Sequence, residues 1–215
     1  MSKIFITSDQ HFKHKGMITL ANRPVKTSEE MDLKMMRAWN ETVRPNDLVY
    51  HLGDLSWGTA EDACKTIYQL NGTIRLIKGN HDRWLKDAPD ELFLSGKVEM
   101  LPDLYKLKYN KTTIWLCHYP LRCWEGNFKG SMHLYGHAHA TIESERLPRS
   151  MDVGVDAVGI YPLFIGDIWT KLNKEPIIPE EARIRDAKDN EQLQREIAEW
   201  KRTLWNEQNW KTGKE

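Results

Sequence analysis

Five short polar motifs in this chain each follow directly on a run of residues with the apolar, β-branched character of a strand. Polar residues in that position are informative because, in an open α/β sheet, ligands bind at the carboxyl ends of the strands. One rim of a sheet can therefore bring together side chains that lie far apart in the sequence. The motifs are Asp9-Gln10-His11, Gly53-Asp54, Gly79-Asn80-His81-Asp82, Cys117-His118 and Gly136-His137-Ala138-His139.

Strand-like and helix-like segments alternate along the first part of the chain. This rhythm favours βαβ units and a partly parallel sheet, and hence an α/β fold. Ser28 and Thr59 are the predicted N-caps of the two helices. The predicted strands are residues 3–8, 47–52 and 73–78, and the predicted helices are residues 28–40 and 59–70.

The alternation of apolar and polar residues in the middle of the chain predicts further strands. Asn110-Lys111 lies between two alternating runs and predicts a hairpin turn. Residues 84–101 contain Pro89 and Gly96 and give no clear prediction. The further predicted strands are residues 104–109, 112–117, 131–135 and 151–155.

Beyond Pro179 the composition becomes charged and helical. We therefore expect a main domain over residues 1–178 and a C-terminal helical extension over residues 179–215. One apolar stripe predicts a long helix in this extension. The helix is expected to pack on the domain or on a second copy of it, so a monomer and a homodimer both stay open. The stripe consists of Leu193, Ile197, Trp200 and Leu204.

The charge balance limits the partners that the chain attracts. Lys plus Arg number 31, as do Asp plus Glu, so the net charge is zero. Long-range attraction to nucleic acid or to an acidic membrane surface is not indicated, although a local basic groove stays open. Three cysteines without framework spacing fit a reducing compartment. With neither a signal-peptide pattern nor a bilayer-spanning segment recognised, the expected location is the cytoplasm.

The ligand types in the motifs point to a metal centre. Asp9 and His11 are two residues apart, so on extended backbone their side chains point the same way, and His137 and His139 repeat that spacing. Carboxylate, amide and imidazole ligands without cysteine suit Mn, Fe, Zn or Ni better than a structural zinc site. Gly53, Gly79 and Gly136 each precede candidate ligands and allow the backbone to approach closely.

The order of the motifs resembles that of the calcineurin-like metallophosphoesterases. The family pattern D-x-H, G-D, G-N-H-[DE], H, G-H-x-H is present and complete, over roughly the first two-thirds of the chain. The chain lacks the arginine that follows G-D in the protein phosphatases of the superfamily, and its third motif ends in Asp82 instead of Glu. The resemblance is therefore to the small bacterial and phage-type phosphoesterases. It implies an α/β sandwich of mixed sheets flanked by helices.

The resemblance also implies two divalent metal ions, with Mn²⁺ expected and Fe, Zn²⁺ or Ni²⁺ as alternatives. Asp54 would bridge the two ions. The first ion would be bound by Asp9, His11, Asp54 and His139, and the second by Asp54, Asn80, His118 and His137.

The activity that the resemblance implies is hydrolysis of a small phosphoester, with a nucleotide among the candidates, by a phosphodiesterase or phosphatase. A hydroxide that bridges the metals would attack phosphorus. His81 would face the scissile phosphate and protonate the leaving oxygen, and Asp82 would orient the His81 ring. Asn80 would also lie next to the substrate.

Two other functions stay open. A nuclease of the same superfamily is disfavoured by the neutral charge and by the lack of an evident DNA-binding appendage. A non-catalytic metal-binding scaffold is disfavoured because no motif residue is missing, His81 included.

Further candidates for substrate binding lie close to the motifs. His14 follows the first motif and faces the substrate or the solvent. Arg122 and Trp124 lie on the loop between the fourth and fifth motifs. Arg122 is a candidate phosphate clamp and Trp124 a candidate stacking surface for a base or sugar; alternatively, both pack the loop against the domain. His51 and His133 lie within predicted strands and are interpreted as core residues.

Overall fold

The computed structural model describes residues 2–177 and 195–202. Two sheets form the centre of the described part. The first has the strand order β4-β3-β2-β1-β9 and the second the order β5-β6-β7-β8. Parallel and antiparallel pairs occur in both. The predicted α/β sandwich of mixed sheets flanked by helices is confirmed.

The first sheet brings the ends of three predicted strands to one rim. Strands β1 to β4 run parallel, so their carboxyl ends share an edge, and β9 pairs antiparallel with β1. Thr7 pairs with His51, and His51 pairs with Leu76, so the segments that follow these residues leave the sheet at the same level. The strands are β1 (Ile4–Thr7), β2 (Leu48–His51), β3 (Thr73–Leu76), β4 (Val98–Met100) and β9 (Leu163–Phe164).

The second sheet begins with the predicted hairpin. Asn110 and Lys111 have φ values of 44° and 65°, which a two-residue hairpin turn of type I′ requires. The parallel pairing of β6, β7 and β8 then places their carboxyl ends together. The strands are β5 (Leu104–Tyr109), β6 (Thr112–Cys117), β7 (Met132–Tyr135) and β8 (Ser150–Asp152).

The helices follow the prediction except in some details. Thr59 caps α3 through a capping box with Asp62, as expected. The cap of α2 is Thr27 rather than Ser28, because the Thr27 hydroxyl accepts the backbone N–H of Glu30. The helices are α1 (Gly16–Leu20), α2 (Ser28–Thr42), α3 (Ala60–Gln69), α4 (Asp90–Leu94), α5 (Val155–Val158) and α6 (Ile165–Leu172).

Two regions differ from the sequence prediction. Strand β8 ends at Asp152, Gly154 forms an isolated parallel bridge with Ser8, and Val155 begins helix α5 instead of ending a strand. The unassigned region around Pro89 and Gly96 contains a short 3₁₀ helix, α4 and the edge strand β4.

Two hydrophobic cores cover both faces of the first sheet. On β1, Phe5 belongs to the core beneath α2 and α3, whereas Ile6 belongs to the core between the two sheets. This alternation follows from the two-residue period of a strand. A sheet buried on both faces holds its strand ends rigidly, which matters for the loops that follow them.

The predicted C-terminal helix is only partly within the described residues. Residues 195–202 are helical, and Trp200 is 9% exposed, with the Arg146 guanidinium 4.7 Å from the centre of its ring. Trp200 therefore lies against Arg146, whereas the docking of the whole extension on the domain or on a second copy stays a prediction. Leu193, Leu204 and the predicted boundary at residue 178 lie outside the described residues. Within the described ranges, no helix is long and apolar enough to cross a bilayer.

Candidate metal centre

Two groups of side chains with metal-ligating atoms lie at the shared strand ends. Within each group the candidate ligand atoms lie within 4.8 Å of one another. The first group is Asp9, His11 and His139, and the second is Asp54, His118 and His137. The sequence motifs that were predicted to converge are thus brought together.

Backbone hydrogen bonds tie the ligand loops to one another. The N–H of Asp9 donates to the Gly53 carbonyl at 3.0 Å, and the N–H of His11 donates to the Asp54 carbonyl at 3.0 Å. The N–H of His137 donates to the Asp9 carboxylate at 3.1 Å. These bonds connect the loops after β1, β2 and β7, so the two ligand groups are held as one unit.

Several candidate ligands have left-handed backbone. Their φ values lie between 46° and 66°, a region that L-residues other than Asn, Asp and His seldom adopt. The expectation that Asp9 and His11 converge on extended backbone is therefore wrong, because tight left-handed loops bring them together. Strained backbone of this kind clusters at functional sites. The residues are Asp9, His11, Asp54, His137 and His139.

Glycine allows the loops after β2 and β3 to touch. Gly53 has φ +101°, and a Cβ there would lie 2.6 Å from the His118 Nδ1 and 2.7 Å from the Gly79 Cα. A Cβ on Gly79 would overlap the Asp54 carboxylate. Larger residues would therefore push apart the elements that carry the candidate ligands.

Three candidate histidine ligands have their Nδ1 atoms engaged. His118 Nδ1 lies 2.8 Å from the Leu52 carbonyl, and His139 Nδ1 lies 2.7 Å from the Asp156 carboxylate. His11 Nδ1 lies 3.2 Å from His14 Nδ1. A carbonyl or carboxylate acceptor requires that Nδ1 carry the proton, which leaves the Nε2 lone pair free for a metal.

At the junction of the groups, two polar atoms have no hydrogen-bond partner among the residues that the structure describes. His11 Nε2 and Asp54 Oδ2 are buried and unpaired, and they lie 3.4 Å apart. His118 Nε2 lies 3.5 Å from the same Asp54 oxygen and 2.9 Å from Asn80 Oδ1. Buried polar atoms without partners are rare, and a bound cation would satisfy these. The residues present therefore fit metal ions.

The electrostatics of the site agree with that fit. Burial raises the pKa of Asp9 well above its usual range, and burial also raises the pKa of Asp54. Burial lowers the pKa of His11 to about 2 and lowers the pKa values of His118 and His137. Neutral imidazoles offer lone pairs, and buried carboxylates need a nearby positive charge to ionise. A cation supplies that charge.

Asp82 does not take the position that the sequence predicted for it. Its two carboxylate oxygens accept the backbone N–H groups of the Gly53-Asp54 and Gly79 loops and the indole N–H of Trp84. Among the described residues, no hydrogen bond joins Asp82 to the His81 ring, whose Nδ1 is buried and unpaired. The expected role of Asp82 in orienting His81 is therefore corrected: the Asp82 carboxylate organises the loops.

The sequence analysis did not identify the ion pair between the buried Arg23 and the partly buried Asp156. The Arg23 guanidinium donates to the Asp9 carbonyl at 2.8 Å and forms an ion pair with Asp156 at 2.8 Å. The Asp156 carboxylate in turn accepts a hydrogen bond from His139 Nδ1 at 2.7 Å. Neither residue lies in a recognisable motif, so the sequence offered no signal for either of them.

The predicted substrate-binding residues have different surroundings. Asn80 is exposed beside His118, and Arg122 is exposed on its loop. His14 is half-buried against His11. Trp124 is 5% exposed, with its ring 5.2 Å from that of His133, so its faces are not free to stack on a base. The structure thus agrees with the alternative in which Trp124 packs the loop.

The predicted core histidines are buried as expected. His51 is fully buried, and its Nε2 lies 2.5 Å from the Gln10 side chain. His133 is fully buried between the Trp115 carbonyl and the Leu121 N–H. Both histidines therefore belong to the packing around the site.

The sequence profile of calcineurin-like phosphoesterases matches residues 2–184. The chain belongs to this family. Members are metallophosphoesterases, which bind divalent metals and act on phosphoesters, and this chain has two candidate His/Asp sites for such metals.

Similar proteins come from an archaeon, a phage and a bacterium. The chain is 32% identical to an uncharacterized protein of Methanocaldococcus jannaschii, over 83% of this chain and 96% of that protein. It is 30% identical to the gene 66 protein of Mycobacterium phage D29, over 73% of this chain and 89% of that protein. A crystal structure of a protein of unknown function from Aquifex aeolicus has the same fold. The TM-score between the two structures is 0.62 and the sequence identity is 21%, over 80% of this chain and 100% of the Aquifex aeolicus chain.

The corrected role of Asp82 can be tested by Asp82→Asn. In the asparagine, the side-chain nitrogen cannot accept the hydrogen bonds that one carboxylate oxygen of Asp82 now accepts. The buried N–H groups that donate to that oxygen would therefore lose their partner. We expect the free energy of unfolding of the metal-free protein to fall by about 1–3 kcal/mol or more. Chemical denaturation measures it. The control is Asp103→Asn, the same change on an exposed residue. Equal stability of the two variants would contradict the organising role.

Proposed function

We propose that the protein is a binuclear metal-dependent phosphoesterase that hydrolyses a small phosphoester. The observation that carries this proposal is the position of Asp54. Its unpaired Oδ2 lies 3.4 Å from His11 Nε2 of one ligand group and 3.5 Å from His118 Nε2 of the other. One carboxylate oxygen facing both groups is the arrangement that a shared ligand needs.

The proposed ligands are divided between two ions, with Asp54 common to both. Asn80 joins the second set because its Oδ1 lies 2.9 Å from His118 Nε2, and its neutral amide adds no negative charge near an anionic substrate. Imidazole-rich sites favour Mn²⁺, Fe, Zn²⁺ or Ni²⁺ over Mg²⁺, and Mn²⁺ is our first candidate. The first set is Asp9, His11, Asp54 and His139, and the second is Asp54, Asn80, His118 and His137.

When bound, the two ions supply a water of lowered pKa as nucleophile and neutralise charge on the phosphoryl oxygens. Hydrogen bonds within the chain hold the ligand side chains in fixed orientations. Arg23 and Asp156 fix His139, and the Leu52 carbonyl fixes His118. Catalysis of phosphoryl transfer relies largely on such positioning and on electrostatic stabilisation.

His81 is the proposed catalytic acid. Its backbone N–H donates to Asp54 Oδ1 at 2.7 Å, which fixes the residue beside the centre. Its ring lies 5.2 Å from that of His11, and within the described part of the chain its buried Nδ1 has no hydrogen-bond partner. An imidazole held there can give a proton to the leaving oxygen, an effect worth roughly 10²–10⁴-fold.

The direct test of this function is hydrolysis of bis-p-nitrophenyl phosphate and p-nitrophenyl phosphate by the Mn²⁺-loaded protein. We expect turnover of at least one ester that a chelator abolishes. Asp54→Asn removes the shared charge while keeping the shape, and it should lower kcat/KM by roughly 100-fold or more. Asp103→Asn is the matched control and should behave as wild type. Undiminished turnover by Asp54→Asn would contradict the proposal.

The role of His81 predicts a dependence on the leaving group. His81→Ala should lower kcat strongly for an alkyl phosphoester, whose leaving oxygen needs a proton. The loss should be smaller for p-nitrophenolate, which leaves without one. Elemental analysis should find the metal content unchanged. An equal loss for both esters would favour stabilisation of phosphoryl charge instead, and loss of a metal would contradict the separation of His81 from the ligands.

A further inference from the structure

A cavity of about 640 Å³ lies at the opposite end of the second sheet from the metal centre. Its lining includes Thr112, the first residue of β6, and Ser131 and Arg149, which directly precede β7 and β8. The candidate ligands His118 and His137 follow the other ends of β6 and β7. Strand β6 has six residues, which span roughly 20 Å. The cavity is therefore separate from the metal centre.

The lining of this cavity is basic, although the whole chain has no net charge. Of the described residues that line it, Ile177 alone has an apolar side chain. Such a lining suits an anion with little apolar surface. The charged lining residues are the cations Lys106, Lys108, Lys111, Lys129 and Arg149 and the carboxylates Glu125 and Glu175.

Both of the lining carboxylates are already paired. Glu125 forms an ion pair with Lys106 at 3.1 Å. Glu175 forms one at 2.8 Å with Arg146, which is not part of the lining. A bound anion would supply the negative charge that the other lining cations lack. In residues 2–177 and 195–202, the lining cations that form no ion pair are Lys108, Lys111, Lys129 and Arg149.

One of these four cations is buried and fixed in place. Arg149 is 5% exposed, and its guanidinium donates to the Gly130 carbonyl at 3.1 Å, the Glu175 carbonyl at 3.2 Å and the Asn173 side-chain oxygen at 3.1 Å. These acceptors are neutral, so they orient the guanidinium without cancelling its charge. Burial lowers the pKa of Arg149 despite the nearby Glu175 carboxylate, so the positive charge is incompletely compensated.

The unpaired lysines surround this fixed cation with mobile charge. Lys108 lies on the edge strand β5, Lys111 lies in the hairpin turn that follows, and Lys129 lies on the loop before β7. Lys108 Nζ donates to the Thr113 hydroxyl at 2.5 Å, a neutral partner. Lysine ammonium groups on flexible stems bind phosphate as point charges. Since one phosphate group carries about 1.5 to 2 negative charges at pH 7, the four cations match two or more phosphate groups.

We propose that this cavity is an anion site that binds a small ligand with two or more phosphate groups. Its volume lies in the range of roughly 300–1,000 Å³ that is typical of small-molecule sites. A nucleic-acid strand fits less well, because a chain without net charge exerts little long-range attraction on a long polyanion. The inference goes beyond the proposed function and does not depend on it.

The test is calorimetry of the full-length chain with inorganic tripolyphosphate, after removal of metal because polyphosphates also bind metal ions. Wild type should bind one tripolyphosphate per chain, and more tightly than inorganic phosphate. Lys108→Gln combined with Lys111→Gln should weaken binding by about tenfold. Lys108→Arg combined with Lys111→Arg keeps both charges and should bind about as tightly as wild type.

The matched control is Lys34→Gln combined with Lys65→Gln. This variant removes the same two positive charges from exposed positions on α2 and α3, outside the cavity, and should bind as wild type. Circular dichroism and chemical denaturation establish that each variant is folded. A single-stranded oligonucleotide is titrated in parallel as the competing ligand.

Three results would overturn the proposal. The first is no binding of tripolyphosphate by wild type, or binding no tighter than that of inorganic phosphate. The second is equal binding by wild type and the Lys108→Gln, Lys111→Gln variant, which would place the ligand elsewhere. The third is lysine-dependent binding of the oligonucleotide without binding of tripolyphosphate, which would make the cavity part of a nucleic-acid surface. None of these results bears on phosphoester hydrolysis, because the protein is metal-free and no turnover is measured.

Discussion

The buried carboxylate of Asp82 is the contact on which the metal centre depends. Its oxygens accept the N–H groups of Asp54 at 2.8 Å, Leu55 at 2.8 Å and Gly79 at 2.9 Å, and the indole N–H of Trp84 at 3.0 Å. One anion thereby joins the loops that follow β2 and β3. Burying a charge is costly unless hydrogen bonds surround it, and here the surrounding donors include the backbone N–H of the candidate ligand Asp54 and that of Gly79, the residue before the candidate ligand Asn80.

The strained loops explain why so rigid a support is needed. Asp9, Asp54 and His137 have positive φ values, a conformation that costs free energy and persists only where neighbouring structure enforces it. Parallel strands buried on both faces fix where the loops begin, and Asp82 and Arg23 fix where they turn. The fold therefore meets part of the free-energy cost of holding the ligand loops in this conformation.

The candidate site was predictable from the sequence where local chemistry decides it. Strand ends and polar motifs follow from periodicity, so the meeting of Asp9 with His139 could be expected. The left-handed backbone was not predictable, because spacing alone says nothing about φ. Trp124 and Asp82 were given functional roles because of their neighbours in the sequence, whereas burial and hydrogen bonding decide their actual roles. Asp156 was missed because its partner, His139, is distant in the chain and the contact forms only in the folded state.

The central claim is that the two ligand groups form one centre with a shared carboxylate. Electron paramagnetic resonance of the protein titrated with Mn²⁺ tests it most directly, because ions that share a bridging ligand are magnetically coupled whereas separate ions are not. The account predicts saturation at two Mn²⁺ per chain with the spectrum of an exchange-coupled pair, and loss of that coupling in Asp54→Asn. Saturation at one ion, or two ions with the spectrum of isolated Mn²⁺, would contradict it.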